Sequence, residues 1–179
     1  DVQTGKAAGL PLDTGTEGVH SMAFSPNGKI LASAHWDGAI TLWNVETWQP
    51  LGQLLNEQPA KINSIIFTPD GDSLISGSAD GSIRFWDVET RLLIRQLQMK
   101  STEDAFREAP FGISISPDGK ILAAGDYFNN IVLWDVANGQ RIRQPLVAQT
   151  RRPVSIANFS PVAFSPDGKT LVSGSDGGI

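Results

Sequence analysis

Hydrophobic and polar residues alternate along short stretches of this chain, and a period of two predicts β-strands rather than helices. The stretch "KINSIIFT" alternates and is rich in β-branched residues, so it predicts a strand that ends near Phe67. "SLISGS" and "SIRFWDV" follow as two further strands, and "RLLIRQLQ" is typical of a fourth, outer strand. Four short strands in succession predict a small antiparallel sheet.

Turn residues separate these stretches. In "TPDGD", Pro69 presets φ for a turn and Gly71 accepts a positive φ. Asp80-Gly81 lies between the second and third stretches and predicts a tight hairpin. The 18 Gly and 11 Pro among the 179 residues favour an all-β protein, because these residues are frequent in turns.

The same pattern occurs four times, which decides the fold class. "FSPNGKILASAHWDGAITLWN" begins at Phe24, "FTPDGDSLISGSADGSIRFWD" at Phe67, "ISPDGKILAAGDYFNNIVLWD" at Ile115 and "FSPDGKTLVSGSDGGI" at Phe164. One four-stranded sheet of this size cannot bury both of its faces, so the copies are expected to pack around a central axis. The predicted fold is an all-β propeller of four-stranded antiparallel blades, with about four repeat units in this chain.

These residues resemble the WD-repeat β-propeller family over essentially the whole chain. The resemblance is carried by the dipeptides Trp86-Asp87 and Trp134-Asp135, with Trp43-Asn44 as a relaxed version. Ser-Pro-Asp-Gly at 116–119 and 165–168, the related turns at 25–28 and 68–71, and three Asp-Gly turns support it. The structural residues that it implies are Trp43, Trp86, Trp134, Asp37, Asp80, Asp176, Ser33, Ser76 and Ser173. The tryptophans are expected to fill the space between adjacent blades. The style of the repeats is similar to bacterial tandem arrays, which implies a cytoplasmic sensor or scaffold.

The sequence departs from the family in its polar network. In the family, a histidine before the first strand joins the strand Ser, the turn Asp and the Trp. The corresponding positions here hold Gly15, Gln58, Phe106 and Ser155. The third repeat also has Ala124 in place of the strand Ser and Asn129 in place of the turn Asp. We therefore expect the blades to depend more on packing, and the third blade to be the weakest.

The whole chain is predicted to be one propeller segment. The expected parts are an orphan outer strand at 1–13, blades at 19–55, 61–98 and 110–148, and an incomplete blade at 158–179. Two alternatives stay open. Further blades can come from a longer chain, or the orphan strand can pair with the incomplete blade, within one molecule or between two chains that complete an eight-bladed ring. Unpaired strand edges disfavour an open monomer.

Charge and composition argue against several partners and reactions. The net charge is −5 and the basic residues are scattered, which disfavours nucleic-acid binding. No apolar run approaches the roughly 20 residues of a membrane span. The turn "PDGKT" and the acidic "DGDSL" are interpreted as β-turns, and His20 and His35 as ordinary surface residues. No catalytic residue, metal ligand or cofactor is therefore predicted, and an enzyme with a site in the central channel is the least favoured alternative.

A protein or peptide partner is expected at one face. Not every other repeat has an aromatic residue at the position of Trp36. Trp36 precedes the Asp37 turn. The family resemblance implies that this turn opens on the top face, where partners dock. Exposed aromatic residues there would be good anchors. The predicted partner-binding residues are His20, Trp36, Lys61, Asn63, Tyr127, Phe128 and Asn158. The predicted function is a non-catalytic scaffold or sensor platform, with a self-assembling half-propeller as the alternative.

Overall fold

Every regular element of the described residues is a β-strand. The computed structural model describes residues 2–6, 12, 18–54, 60–99, 109–126, 130–142, 146–147 and 161–174. The strands in these ranges are β1 (Val19–Phe24), β2 (Ile30–His35), β3 (Ile40–Asn44), β4 (Pro50–Leu54), β5 (Ile62–Phe67), β6 (Ser73–Ser78), β7 (Ser82–Asp87), β8 (Leu93–Gln98), β9 (Gly112–Ile115), β10 (Ile121–Gly125), β11 (Asn130–Asp135), β12 (Leu146–Val147), β13 (Val162–Phe164) and β14 (Leu171–Ser173).

The strands form successive antiparallel meanders. Strands β1 to β4 are blade 1, β5 to β8 are blade 2 and β9 to β12 are blade 3, each in sequence order, and β13 pairs with β14. The first strands of consecutive units lie side by side, since β1 contacts β5, β5 contacts β9 and β9 contacts β13. This arrangement around an axis confirms the predicted all-β propeller fold.

Some predicted segments lie partly outside the described residues. Of the predicted orphan strand at 1–13, residues 2–6 form a turn, and most of the remainder is outside the described ranges. The outer strand of blade 3 is described only as Leu146–Val147, with an isolated bridge between Trp134 and Arg141. The predicted incomplete blade is described from residue 161 to residue 174.

The turn between the first two strands of each unit is closed by a hydroxyl group. In blade 2, Thr68 Oγ1 donates to Asp70 Oδ1 at 2.6 Å and accepts the Ser73 amide at 3.0 Å. Gly71 completes this turn at φ 82°. The hydrogen bond from Thr68 lowers the pKa of Asp70 below its ordinary value, so the carboxylate stays ionised and holds the turn.

Hydrophobic packing joins each blade to the one before it. At the first interface, between blades 1 and 2, Trp86 belongs to a buried cluster that includes Ala34 and Leu42 of blade 1. At the second interface, between blades 2 and 3, Trp134 belongs to a cluster that includes Phe85 and Met99 of blade 2. Each of these tryptophans therefore packs on the preceding blade.

A serine hydroxyl in the second strand accepts the indole N–H in two blades. Trp43 Nε1 donates to Ser33 Oγ at 2.9 Å, and Trp86 Nε1 donates to Ser76 Oγ at 2.9 Å. His35 is fully buried, and its Nε2 lies 3.1 Å from Ser33 Oγ. The interpretation of His35 as a surface residue was therefore wrong. Because strand side chains alternate, His35 lies on the same face of β2 as Ser33, so the strand itself supplies a histidine to the network.

Blade 3 obtains its turn carboxylate from a different position. Asp126 is buried just after β10, and the backbone N and side-chain Nδ2 of Asn130 both donate to it at 2.8 Å. Asn129, which replaces the usual turn Asp, lies outside the described residues. A carboxylate is thus present near this turn of blade 3, although the sequence lacks the aspartate expected in the turn.

Candidate functional site

Three of the predicted partner-binding residues lie together at the first interface. Trp36 follows β2 in blade 1, and 49% of its surface is exposed. Lys61 Nζ of blade 2 lies 3.7 Å from the centroid of the Trp36 ring. The His20 ring packs edge to face on Trp36, with 5.0 Å between the ring centroids and an interplanar angle of 65°. We call these three residues the Trp36 cluster.

A tight turn brings the two blades together beside Trp36. Gly38 has φ 87° and its amide donates to the His35 carbonyl, while Asp37 Oδ1 accepts the Ala39 amide at 3.0 Å. A Cβ atom at Gly38 would lie 2.7 Å from the Ala60 carbonyl oxygen, so only glycine permits this approach. Because Ala60 precedes Lys61, the turn positions the lysine over the tryptophan.

The surroundings of His20 and Lys61 disfavour the charged forms of both side chains. Burial, and secondarily the charge of Lys61, lowers the pKa of His20 below its ordinary value. Burial also lowers the pKa of Lys61 from its ordinary value of 10.5. At neutral pH the cluster therefore presents one ammonium, a mostly neutral imidazole and a half-exposed indole ring. The ammonium over the ring is a cation–π contact, typically worth about 0.5–1 kcal/mol at an exposed site.

The structure does not bring Asn63 to this cluster. Asn63 is only 7% exposed, and its Nδ2 donates to the Pro110 carbonyl of blade 3 at 3.4 Å. Its side chain therefore joins blades 2 and 3 and leaves little surface for a partner, contrary to the expected exposed position. Tyr127, Phe128, Asn158 and Asp176 lie outside the described residues.

Sequence reasoning missed an ion pair in blade 2 between the buried Arg84 and the partly exposed Asp80. Arg84 Nη2 lies 2.6 Å from Asp80 Oδ2, and Arg84 Nε donates to Gln96 Oε1 at 3.1 Å. Burial opposes ionisation of Asp80, but hydrogen bonds from Arg84 and Ser82 lower the pKa of that carboxyl below its ordinary value. The alternation of "SIRFWD" could have revealed the pair, since it places Arg84 on the same strand face as Trp86.

Two features are absent from the described residues. Among them, no group of three or more His, Cys, Asp or Glu side chains could hold a metal ion. No helix long and apolar enough to cross a membrane occurs in that part of the chain.

Comparison with solved structures supports the fold. The chain is similar to a chain of the Kuenenia stuttgartiensis hydrazine synthase, with a TM-score of 0.74 and 24% sequence identity. The match covers 94% of this chain and 45% of that one, so this chain spans less than half of it. At this identity the similarity shows the fold alone.

Comparison of sequences shows the family. The human WD repeat, SAM and U-box domain-containing protein 1 is 48% identical over 50 residues, which are 28% of this chain and 10% of that protein. The family described as WD domain, G-beta repeat matches residues 10–44, 48–87 and 154–179, more than half of the chain. The matches leave out blade 3, where Ala124 replaces the strand serine. On these matches, the chain belongs to the WD-repeat family.

Proposed function

We propose that the chain is a non-catalytic interaction platform that docks a protein or peptide partner on the Trp36 cluster. WD-repeat proteins are generally protein-interaction scaffolds, which supports the general class. The observation that carries the specific proposal is the half-exposed Trp36 ring, in contact with both Lys61 and His20 where two blades meet. A bacterial, cytoplasmic setting stays a prediction.

The geometry of the cluster suits an anchor for a partner. Tryptophan is enriched among the residues that contribute most to binding at protein interfaces. The contacts with Lys61 and His20 hold the Trp36 ring before a partner arrives, so less side-chain entropy is lost on binding. The Lys61 ammonium would favour a partner that presents an acidic side chain beside an apolar one.

Substitution of Trp36 tests the proposal. Peptides would be selected from a random displayed library on the wild-type chain, and their dissociation constants measured by fluorescence anisotropy. Trp36→Ala should weaken binding at least about thirtyfold, because truncating an interface anchor typically costs about 2 kcal/mol or more. A matched control is Trp48→Ala, since Trp48 is 43% exposed but lies in the turn after β3, at the other end of the strands.

Two results would contradict the proposal. Equal peptide binding by the wild type and Trp36→Ala would show that the cluster is not the docking site. Loss of the cooperative thermal transition in Trp36→Ala would instead assign the ring a role in folding. Trp48→Ala should retain both the transition and peptide binding.

A second candidate function is self-assembly, which an exposed strand face supports. Met22 and Phe24 of β1 are 65% and 58% exposed, whereas Ile65 and Phe67, their equivalents in β5, are buried against blade 1. The β1 face thus has the apolar pattern of an interface between blades without a cover among the described residues. A second copy of the chain that covers this face would give the half-propeller assembly.

The mass in solution separates the two candidates. Under self-assembly, sedimentation should give the mass of two chains for the wild type and of one chain for the double variant Met22→Glu, Phe24→Glu. The substitutions place charges on the exposed face, where an interface could not bury them without a large desolvation cost. If the wild-type chain stays monomeric at all concentrations, self-assembly is excluded as the function and the interaction platform remains the only candidate of the two.

A further inference from the structure

A cavity of about 580 Å³ lies between blades 1 and 2, far from the Trp36 cluster. Its lining includes the apolar Leu42 and Leu51 of blade 1 and the charged Asp72, Asp87, Glu89 and Arg91 of blade 2. The blade 2 residues come from the turns after β5 and β7. In a meander these turns lie at the opposite end of the strands from the turn after β2, which carries Trp36. We call this cavity the first crevice.

An arginine fills the corresponding space at the second interface. Arg95 in β8 reaches blade 3, where its Nη1 donates to the Val136 carbonyl at 2.6 Å and its Nη2 donates to the Ala137 carbonyl at 3.1 Å. Phe85, which pairs with Arg95 across the sheet, belongs to the buried cluster at the same interface. The fold therefore already holds the guanidinium of Arg95 in this space between two blades.

The first crevice lacks both of these side chains. In blade 1 the matching strand pair is Leu42 and Gly52. Leucine therefore occupies the position equivalent to Phe85, and glycine the position equivalent to Arg95. Val88 and Glu89 occupy the turn positions of Val136 and Ala137. No hydrogen bond from another residue that the structure describes reaches the carbonyl oxygens of Val88 and Glu89. The first crevice thus has the two carbonyl acceptors but no arginine at the position equivalent to Arg95 to donate to them.

The charge of the first crevice is also more negative than that of the second. Asp72 stands where blade 3 has Lys120, and Glu89 stands where blade 3 has Ala137. Hydrogen bonds from Thr90 lower the pKa of Asp87 below its ordinary value, so this third carboxylate is ionised at neutral pH. Against these three carboxylates the lining offers one cation, Arg91.

Arg91 does not replace the missing arginine. Its position is that of Gly139 in blade 3, and its guanidinium lies over Gly52, where a Cβ atom would be 2.6 Å from Arg91 Nη1. Arg91 is exposed, and its side chain makes no hydrogen bond to another residue in the described ranges. Arg91 thus covers Gly52, which is equivalent to Arg95, but does not donate to the carbonyl groups of Val88 and Glu89.

We infer that the first crevice binds an arginine side chain of a partner protein, whose guanidinium donates to the carbonyl oxygens of Val88 and Glu89 as Arg95 does to Val136 and Ala137. The planar guanidinium offers several donors in a fixed fork, whereas the lysine ammonium is a compact point charge. The site lies at the other end of the strands from the Trp36 cluster. It is therefore independent of the proposed docking site, and either can fail alone.

A titration with short peptides tests the inference. The probes are acetyl-Gly-Arg-Gly-amide and the same peptide with Lys or Glu in the centre, added to the ¹⁵N-labelled full chain. The arginine peptide should shift the amide signals of Gly52, Val88 and Glu89. The lysine peptide should bind about threefold or more weakly, since it lacks the fork, and the glutamate peptide should not bind at this site.

Variants taken from the second interface sharpen the test. The double variant Asp72→Lys, Glu89→Ala carries the residues of blade 3 and should bind the arginine peptide at least about fivefold more weakly, because two attractive charges are removed. Arg91→Gly, which copies Gly139, should bind it more tightly. Glu46→Ala changes the same turn position in blade 1 and should leave the shifts at Val88 and Glu89 unchanged.

Three outcomes would overturn the inference. They are the absence of shifts in the first crevice, equal binding of the arginine and glutamate peptides, and unchanged arginine binding by a folded double variant. If the double variant failed to fold, the peptide comparison on the wild type and on Arg91→Gly would still decide. Trp36→Ala should bind the arginine peptide like the wild type, which separates this site from the Trp36 cluster.

Discussion

The two interfaces between blades share one strand framework but differ in how completely side chains fill them. At the second interface, Phe85 and Met99 pack against blade 3, and Arg95 bonds to its backbone. At the first interface, the matching strand pair is Leu42 and Gly52, and a cavity remains. The first interface also carries the half-exposed Trp36 at its other end.

This difference shows how a repeat protein can obtain distinct surfaces from nearly identical units. The backbone of each blade is set by turns and strand pairing, which all the repeats share. The surface at an interface depends on the side-chain volume and charge at a few positions, and these change without disturbing the strands. Both proposed binding sites lie at the first interface, where Leu42 and Gly52 replace the larger Phe85 and Arg95.

The largest expected effect is the loss of a tryptophan between blades. Trp86→Ala should lower the free energy of unfolding by about 3–5 kcal/mol, because it leaves a cavity at the first interface and removes the donor to Ser76. Urea unfolding followed by circular dichroism would measure the change. Trp48→Ala, an exposed control, should stay within about 0.5 kcal/mol of the wild type. An unchanged urea midpoint in Trp86→Ala would refute its place in the interface.

Opening the second interface should have the next largest effect. Arg95→Ala removes two hydrogen bonds from a charged donor to the carbonyl groups of Val136 and Ala137. We expect a loss of about 1–2 kcal/mol in the free energy of unfolding, at the low end for charged donors because Arg95 is partly exposed. Arg91→Gln is a matched control, because it also removes an arginine beside a blade interface but breaks no hydrogen bond to a carbonyl group of another described residue. Equal stability of the two variants would mean that the filled and open crevices do not differ energetically.

The backbone at Arg91 should give a smaller effect. Arg91 has φ 63°, a left-handed conformation that costs an L-residue about 1–2 kcal/mol, while Gly139 takes φ 70° at the same position in blade 3. Arg91→Gly should therefore be about 1 kcal/mol more stable than Arg91→Ala, since both remove the side chain and only glycine relieves the strain. Urea midpoints of the two variants measure this, and the opposite order would contradict the argument.

The smallest expected effect is a pH dependence from His35. Burial lowers the pKa of His35 below 6.5, although the charge of Asp37 opposes this. As the pH falls below 6.5, the unfolded chain takes up a proton that the folded chain resists, so stability that is full above pH 6.5 declines. The thermal midpoint should fall by about 1–3 °C between pH 7.5 and 5.5 because of this group.

His35→Ser, with the residue that blade 2 has as Ser78, should reduce this pH dependence. Burial also lowers the pKa of His20, so a part of the dependence should persist in His35→Ser and be removed by His20→Ser. Identical slopes of midpoint against pH in the wild type and in His35→Ser would show that His35 does not contribute.

The fold could be predicted because its signals are local and repeated. The Ser-Pro-Asp-Gly turns with their two variants, the Asp-Gly hairpins and the two Trp-Asp pairs each act within one blade, and the copies support one another. Exposure at the candidate site was harder to predict. His20 and Asn63 occupy equivalent positions at a register shift in the first strand of their blades, where alternation no longer tells which way a side chain points. His20 contacts Trp36, whereas Asn63 bonds to Pro110.

The sequence by itself determined the strand order, the turns and the stacking of blades, because periodicity and turn residues act over a few positions. Only the tertiary structure decided that His35 is buried, that Lys61 lies over Trp36 and that a cavity remains beside Gly52. These features depend on contacts between residues of different strands or different blades. Their outcome is set by the volumes and charges that meet there, which no local pattern records.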